Sequence, residues 1–164
     1  MSARLARLPR GAAALLALAW AALIWWLLGG RGVTPEPWFW FMGYAYDLSH
    51  AALFGALAVW CALAWRVDDE AADTQASRAD DASPFGPTSA GWLAAACAAL
   101  LYGGLMEWRQ AAVPGRHASW FDLATDAVGA FGLPWVLSRP ADGARRAALV
   151  LLAAGLSALA AREL

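Results

Sequence analysis

Tyr102–Gly132 reads YGGLMEWRQAAVPGRHASWFDLATDAVGAFG, and how this stretch is placed decides the fold. Glu107 and Gln110 sit near the end of one apolar segment, and Asp122 and Asp126 near the start of the next. A Pro114-Gly115-Arg116 turn separates them. If both segments cross a bilayer, the hairpin puts Asp122 and Asp126 inside or just beneath one membrane face, with Glu107 and Arg116 at that same face. Ionisable groups at such depth cost at least a few kcal/mol each, so by default they mark a functional site.

The whole chain agrees with a membrane setting. It has 164 residues, enough for one domain, and is 61% hydrophobic against the roughly 45–50% of soluble domains. Mean hydropathy is +0.47. Eleven tryptophans in so short a chain suit aromatic belts at membrane interfaces. A net charge of −1 with no zinc-finger or phosphate-loop spacing excludes the usual nucleic-acid and nucleotide binders. No motif calls for a cofactor. Cys61 and Cys97 fall inside apolar runs at similar depth, where they read as small buried residues rather than as a disulfide or a metal pair.

The pattern predicts an all-α fold, a polytopic membrane helix bundle of about five transmembrane helices in one domain. The spans fall at about 11–29, 47–65, 91–110, 119–137 and 147–161, each near the length a spanning helix needs. Gly11 to Gly29 follows Arg4, Arg7 and Arg10. A cleaved signal peptide shares that start, but the run is long for one and lacks an A-x-A site. Arg31 to Tyr46 is a connection rich in Trp, Phe and Tyr that suits the headgroup zone, or else the wall of a lipid-facing pocket. Asp47 reads as an N-cap for the second span. His50 lies one turn deeper on the same face, which Phe54, Leu57 and Cys61 continue. Residues 66–90 read as a flexible acidic loop, with six acids (Asp68, Asp69, Glu70, Asp73, Asp80, Asp81) against Arg66 and Arg78. In the fourth span Ser119, Asp122, Asp126 and Gly129 form one stripe of polar and small residues, which faces other helices rather than lipid. Pro134 is expected to bend that helix near its far end. Ala147 to Ala161 is a short last run between Arg146 and Arg162.

With the N-terminus in the cytoplasm, eight arginines fall inside and four (Arg31, Arg109, Arg116, Arg162) outside, in keeping with the positive-inside rule. The expected location is the inner, cytoplasmic membrane of a bacterium, crossed several times. Asp47 and His50 then open an inward-running helix at the outer face, Glu107 and Gln110 close an outward one, and Asp122 opens the next.

Asp47-Leu-Ser-His50 ahead of an apolar run, then Glu107-x-x-Gln110, Pro114-Gly115-Arg116 and Ser119-x-x-Asp122-x-x-x-Asp126-x-x-Gly129-Ala130, resembles the VanZ-like family of bacterial membrane proteins. The resemblance covers roughly Asp47 to Gly132. It implies a site on the outer face of the cytoplasmic membrane and a theme of resistance to the glycopeptide teicoplanin, rather than a reaction. Leu48, Ala51 and Phe54 stand where the family usually has Lys, Phe and Tyr, and Asp126 where it has Asn.

The expected partners are membrane lipids, with a lipid-linked envelope precursor or a glycopeptide as ligand, bound by Asp47, Gln110, Arg116, Ser119 and Asp126. As an enzyme, the chain would use His50 or Glu107 as general base and Asp122 beside them, on a lipid-linked phosphate or sugar clamped by Arg116. His50, Glu107, Asp122 and Asp126 also offer nitrogen and oxygen ligands, but no H-E-x-x-H motif supports a metal. As a purely structural network, Asp47 with His50 and Arg116 with Glu107 would fix helix register. Ser119 has no histidine at a fixed offset to make it a nucleophile, and His117 reads as incidental in its turn.

Overall fold

In a computed structural model, residues 8–28, 42–65, 90–114, 118–138 and 142–163 are described. Among them are five α-helices and no strand. They are α1 (Arg10–Leu28), α2 (Met42–Ala64), α3 (Ala90–Ala111), α4 (Trp120–Ser138) and α5 (Gly143–Glu163). The expected acidic loop, the Arg31–Phe41 part of the aromatic connection, and the Gly115-Arg116-His117 turn all lie outside the described residues.

Two expected boundaries shift. Asp47 is not an N-cap, because α2 starts at Met42 and carries Asp47 within its second turn. The aromatic residues before it, ending in Tyr44 and Tyr46, extend the helix rather than the connection. The last helix is longer than the apolar run that announced it, since Ala144, Arg145 and Arg146 are good helix formers and add a turn ahead of Ala147. α4 runs through Pro134, which is buried within it. Among the described residues, two helices are long and apolar enough on their own to cross a membrane, Arg10–Leu28 and Ala45–Ala64.

Neighbouring helices alternate in direction. Trp20 of α1 donates its indole N–H to the Leu53 carbonyl of α2, and Ala13 packs in one cluster with Val59, Ala62 and Leu63, so these two helices run opposite ways. Phe54 meets Tyr102, Glu107 meets Ser119, and Trp92 meets Phe131, which sets α3 against both α2 and α4. Thr125 meets Ser157 and Gly132 meets Val150, so α5 returns along α4. As a result, one end of the bundle holds the start of α2, the end of α3 and the start of α4.

α2 is the hub and packs against all four other helices, most extensively against the parallel α4. That contact rests on glycines. A Cβ on Gly129 would fall 2.6 Å from the Ala51 Cα, and one on Gly55 would fall 2.8 Å from the Gly129 carbonyl oxygen. Backbones this close exclude any side chain at either position. The rest of the interior is dominated by small residues, among them Ala58, Ala99, Ala130, Ala154 and Ala158, around Phe54, Ile24, Leu63 and Met106. Close approach through small residues is how helices gain dispersion contacts where no aqueous hydrophobic drive operates.

The outward surface is apolar instead of polar. Leu15, Leu18, Leu101, Leu151 and Leu152 are all more than 60% exposed. Tryptophans gather at both ends: Trp25, Trp26, Trp108 and Trp120 at one, Trp65, Trp92 and Trp135 at the other.

Candidate functional site

The site is built at the bundle end where α2, α3 and α4 meet. His50 on α2 and Asp126 on α4 are each 1% exposed, and His50 Nδ1 lies 3.0 Å from Asp126 Oδ1. The imidazole is held in a column of rings. Tyr46 meets it edge-on at 5.6 Å on one side, and Phe54 lies at 6.2 Å on the other. Phe54 in turn abuts Tyr102, whose hydroxyl donates to the Ala21 carbonyl. An ionised carboxylate can only accept, so Asp126 places the hydrogen of a neutral imidazole on Nδ1 and leaves the lone pair on Nε2.

Asp126 keeps its place because α3 carries glycine opposite it. A Cβ at Gly103 would stand 2.7 Å from Asp126 Oδ2 and 3.4 Å from the Phe54 ring. One turn further along the same face of α3 comes Glu107, then Gln110. Glu107 Oε2 accepts the Ser119 backbone N–H at 2.7 Å. The Ser119 hydroxyl accepts the Asp122 N–H at 3.2 Å, and Leu123 N–H donates to the Ser119 carbonyl, which makes Ser119 the N-cap of α4. In a capping box the acid at the third helical position returns to the N-cap N–H. Here Asp122 holds that position, yet the N–H is taken by Glu107 from another helix. One oxygen of Glu107 thus has a structural task.

The other oxygen does not. Glu107 Oε1, His50 Nε2, Asp126 Oδ2 and Gln110 Nε2 are all buried and have no hydrogen-bond partner among the described residues. Their residues are between 1% and 6% exposed. Orphaned polar atoms are rare in folded interiors because each carries its full desolvation penalty, about 1–3 kcal/mol. Four lie at one end of the bundle, on α2, α3 and α4, and mark a candidate site; a fifth, Trp92 Nε1, lies at the other end.

The sequence-nominated residues separate clearly. His50, Asp126, Glu107 and Gln110 are buried together, while Asp122 and Ser119 are half-buried at the start of α4. Asp122 and Glu107 are near enough to His50 to act on it electrostatically. Asp47 is half-buried one turn before His50 and has interactions of its own. The expected Asp47–His50 pair is not formed, because the imidazole turns to Asp126 across the helix interface. Arg116 lies outside the described residues. No group of three His, Cys, Asp or Glu among the described residues has the geometry to hold a metal ion. Cys61 and Cys97 are free thiols.

Three contributors escape a reading of motifs. Gly103 looks like an ordinary small residue, and only its place one turn before Glu107 hints at a carboxylate needing room. Thr125, buried beside Asp126, donates its one hydroxyl hydrogen to the Phe121 carbonyl at 2.9 Å and lies 3.0 Å from Ser157 Oγ, tying α5 to the site helix. Arg109, adjacent to Gln110, turns to α1, where it donates to the Trp25 carbonyl and lies 3.9 Å from the Trp25 ring centre.

Comparison with protein-family models, curated proteins and solved structures finds no match.

Proposed function

We propose that the chain is a multi-pass protein of the bacterial cytoplasmic membrane, of VanZ-like type, with its N-terminus in the cytoplasm. Its polar site opens on the outer face and binds the polar part of an envelope lipid, a lipid-linked precursor or a glycopeptide antibiotic. The observation that carries this reading is the set of four buried, unpartnered polar atoms at one end of α2, α3 and α4. A purely structural network would satisfy its members mutually; this one leaves bonding capacity for a guest. The exposed leucines and the tryptophans at both bundle ends support the membrane setting. So does helix packing through Gly55 and Gly129.

The test is native mass spectrometry of the protein extracted in mild detergent. A retained lipid or precursor is expected on the natural chain and should be lost when Gln110→Leu and Glu107→Gln, the latter keeping an acceptor for the Ser119 N–H, alter two of the four atoms. Equal retention in the variant would overturn the reading.

The His50–Asp126 hydrogen bond favours one further reading. A histidine oriented through Nδ1 with Nε2 free is arranged as a general base. A membrane-embedded enzyme would use it, with Glu107, on a lipid-linked phosphate or sugar. Turnover of such a lipid that survives His50→Gln would remove this reading.

A further inference from the structure

α2 and α5 both pack on α4 far more extensively than on each other. The angle they leave is a groove of about 510 Å³, with Leu48 and Ala52 of α2 on one wall, Val150 and Leu151 of α5 on the other, and Gly129 and Leu133 of α4 as its floor. Ala52 and Leu151 are exposed, so the groove is open along the outward surface. It does not share a face with the polar cluster. His50 stands two residues from both Leu48 and Ala52, on the opposite side of α2.

The lining is one-sided in its chemistry. Among the described residues, Ser49 is its one polar side chain, and that hydroxyl donates to the Tyr46 carbonyl at 2.6 Å. Hydrocarbon laid in the groove gains dispersion contacts on three sides and needs no polar partner. The dimensions select among apolar guests. With Gly129 packed on Ala51, the groove runs from Ala45, six residues before Ala51, to Val136, seven residues beyond Gly129. That is about 20 Å at 1.5 Å of rise per residue, a little more than the roughly 15 Å depth of one leaflet's hydrocarbon. Spread over this length, 510 Å³ gives a cross-section on the order of 25 Å². A helix with its side chains, about 10–12 Å across, is too thick to enter, whereas one extended hydrocarbon chain fits. One wall belongs to Ala45–Ala64, a helix apolar enough to cross a membrane, so the lip of the groove continues the surface that bilayer hydrocarbon would cover. We propose that the groove holds one acyl chain of a membrane lipid, lying along α4 between α2 and α5. This rests on the membrane setting proposed above and is independent of the polar site.

The full chain is reconstituted in phosphatidylcholine bilayers doped with a phosphatidylcholine that carries a photoreactive diazirine near one chain end. After illumination, the labelled residues are located by mass spectrometry of peptides. Leu133, Val136 and Val150 should be labelled about tenfold more often than Leu18 and Leu101, which are exposed on α1 and α3 away from the groove. Ala52→Phe brings a ring into the groove from an exposed position and should reduce that excess to parity. Ala147→Phe should do the same from the facing wall. Ala148→Phe, exposed on α5 outside the lining, should leave the excess unchanged, with circular dichroism the same in all three variants. Uniform labelling of groove and exposed leucines, or an excess that survives both groove-filling rings, would overturn the groove assignment and leave the membrane setting intact. A dimer in native mass spectrometry that Ala52→Phe disperses would put a second copy on this face and overturn the acyl chain. No labelling at any apolar surface would overturn the membrane setting and the groove assignment together.

Discussion

Gly103 and Asp126 fit as socket and plug: a methyl group on Gly103 would stand 2.7 Å from Asp126 Oδ2. The absence of one side chain on α3 is thus a condition for a buried carboxylate on α4. Gly103→Ala should displace Asp126 and lower stability by about 1–3 kcal/mol, the usual range for overpacking. Gly104 is the internal control, since a Cβ there meets nothing within 4 Å. Gly104→Ala should be neutral or stabilising by up to about 1 kcal/mol through helix propensity. Thermal unfolding in detergent compares the two. Equal melting points would show that Asp126 has room to move.

Gly129 should be less tolerant still. What a Cβ would strike there is the Ala51 backbone, 2.6 Å away at its Cα, and backbone cannot step aside as a side chain can. Gly129→Ala should reach or exceed the roughly 3 kcal/mol upper end of overpacking costs. It should also part α2 from α4, read as faster amide hydrogen exchange along the facing turns of the two helices. Gly143→Ala, where a Cβ meets nothing, should leave stability unchanged.

These glycines mark the boundary of what could be read in the chain. The helices were legible because their apolar runs are long and their polar residues sit at the ends. Asp122 and Asp126 stand out in the sequence because they lie too deep in an apolar run to be chance. The partner of His50 was not, since Asp47 lies one turn away in sequence and Asp126 across a helix interface, and only packing decides between them. The start of α2 is hidden in the sequence because a run of aromatics suits a headgroup segment and a helix equally well. Glu107 is plain in the sequence as an acid, but its capping of the Ser119 N–H depends on how α3 and α4 pack.

The His50–Asp126 bond should show strong energetic coupling. Removing one partner of a buried pair leaves the other uncompensated, at about 3–5 kcal/mol, whereas removing both with apolar residues of similar volume is far milder. His50→Leu and Asp126→Leu should each destabilise severely, and the double variant should be more stable than either. A double-mutant cycle by chemical denaturation gives the coupling. Additive losses would mean the 3.0 Å contact contributes little.

Glu107 divides into a structural oxygen and a vacant one, and two substitutions separate them. Glu107→Gln retains an acceptor for the Ser119 N–H and should fold with stability within about 1 kcal/mol of the natural chain. Glu107→Ala orphans that N–H and should cost roughly 1–3 kcal/mol. Ser119→Ala, which removes only the hydroxyl cap on the Asp122 N–H, should cost about 0.5–2 kcal/mol. If Gln and Ala at Glu107 behave alike in unfolding, the interhelical cap is not a stabilising contact.

The membrane reading stands or falls on which side each bundle end faces. Alternating helix directions place Asp142, ahead of α5, at the end opposite Ala118, ahead of α4. Both residues are exposed. In a Cys61→Ala, Cys97→Ala background, Ala118→Cys should react with a membrane-impermeant maleimide applied to intact cells, and Asp142→Cys only after the membrane is opened. The arginines set the expected sign: Arg139, Arg145 and Arg146 flank Asp142 in sequence, and positive residues are retained in the cytoplasm. The reverse pattern would turn the bundle over and put the His50–Asp126 site at the cytoplasmic leaflet, where an outer-face ligand could not reach it. Equal labelling of both without permeabilisation would remove the bilayer altogether. The exposed leucines of α1, α3 and α5 would then need another apolar partner to cover them.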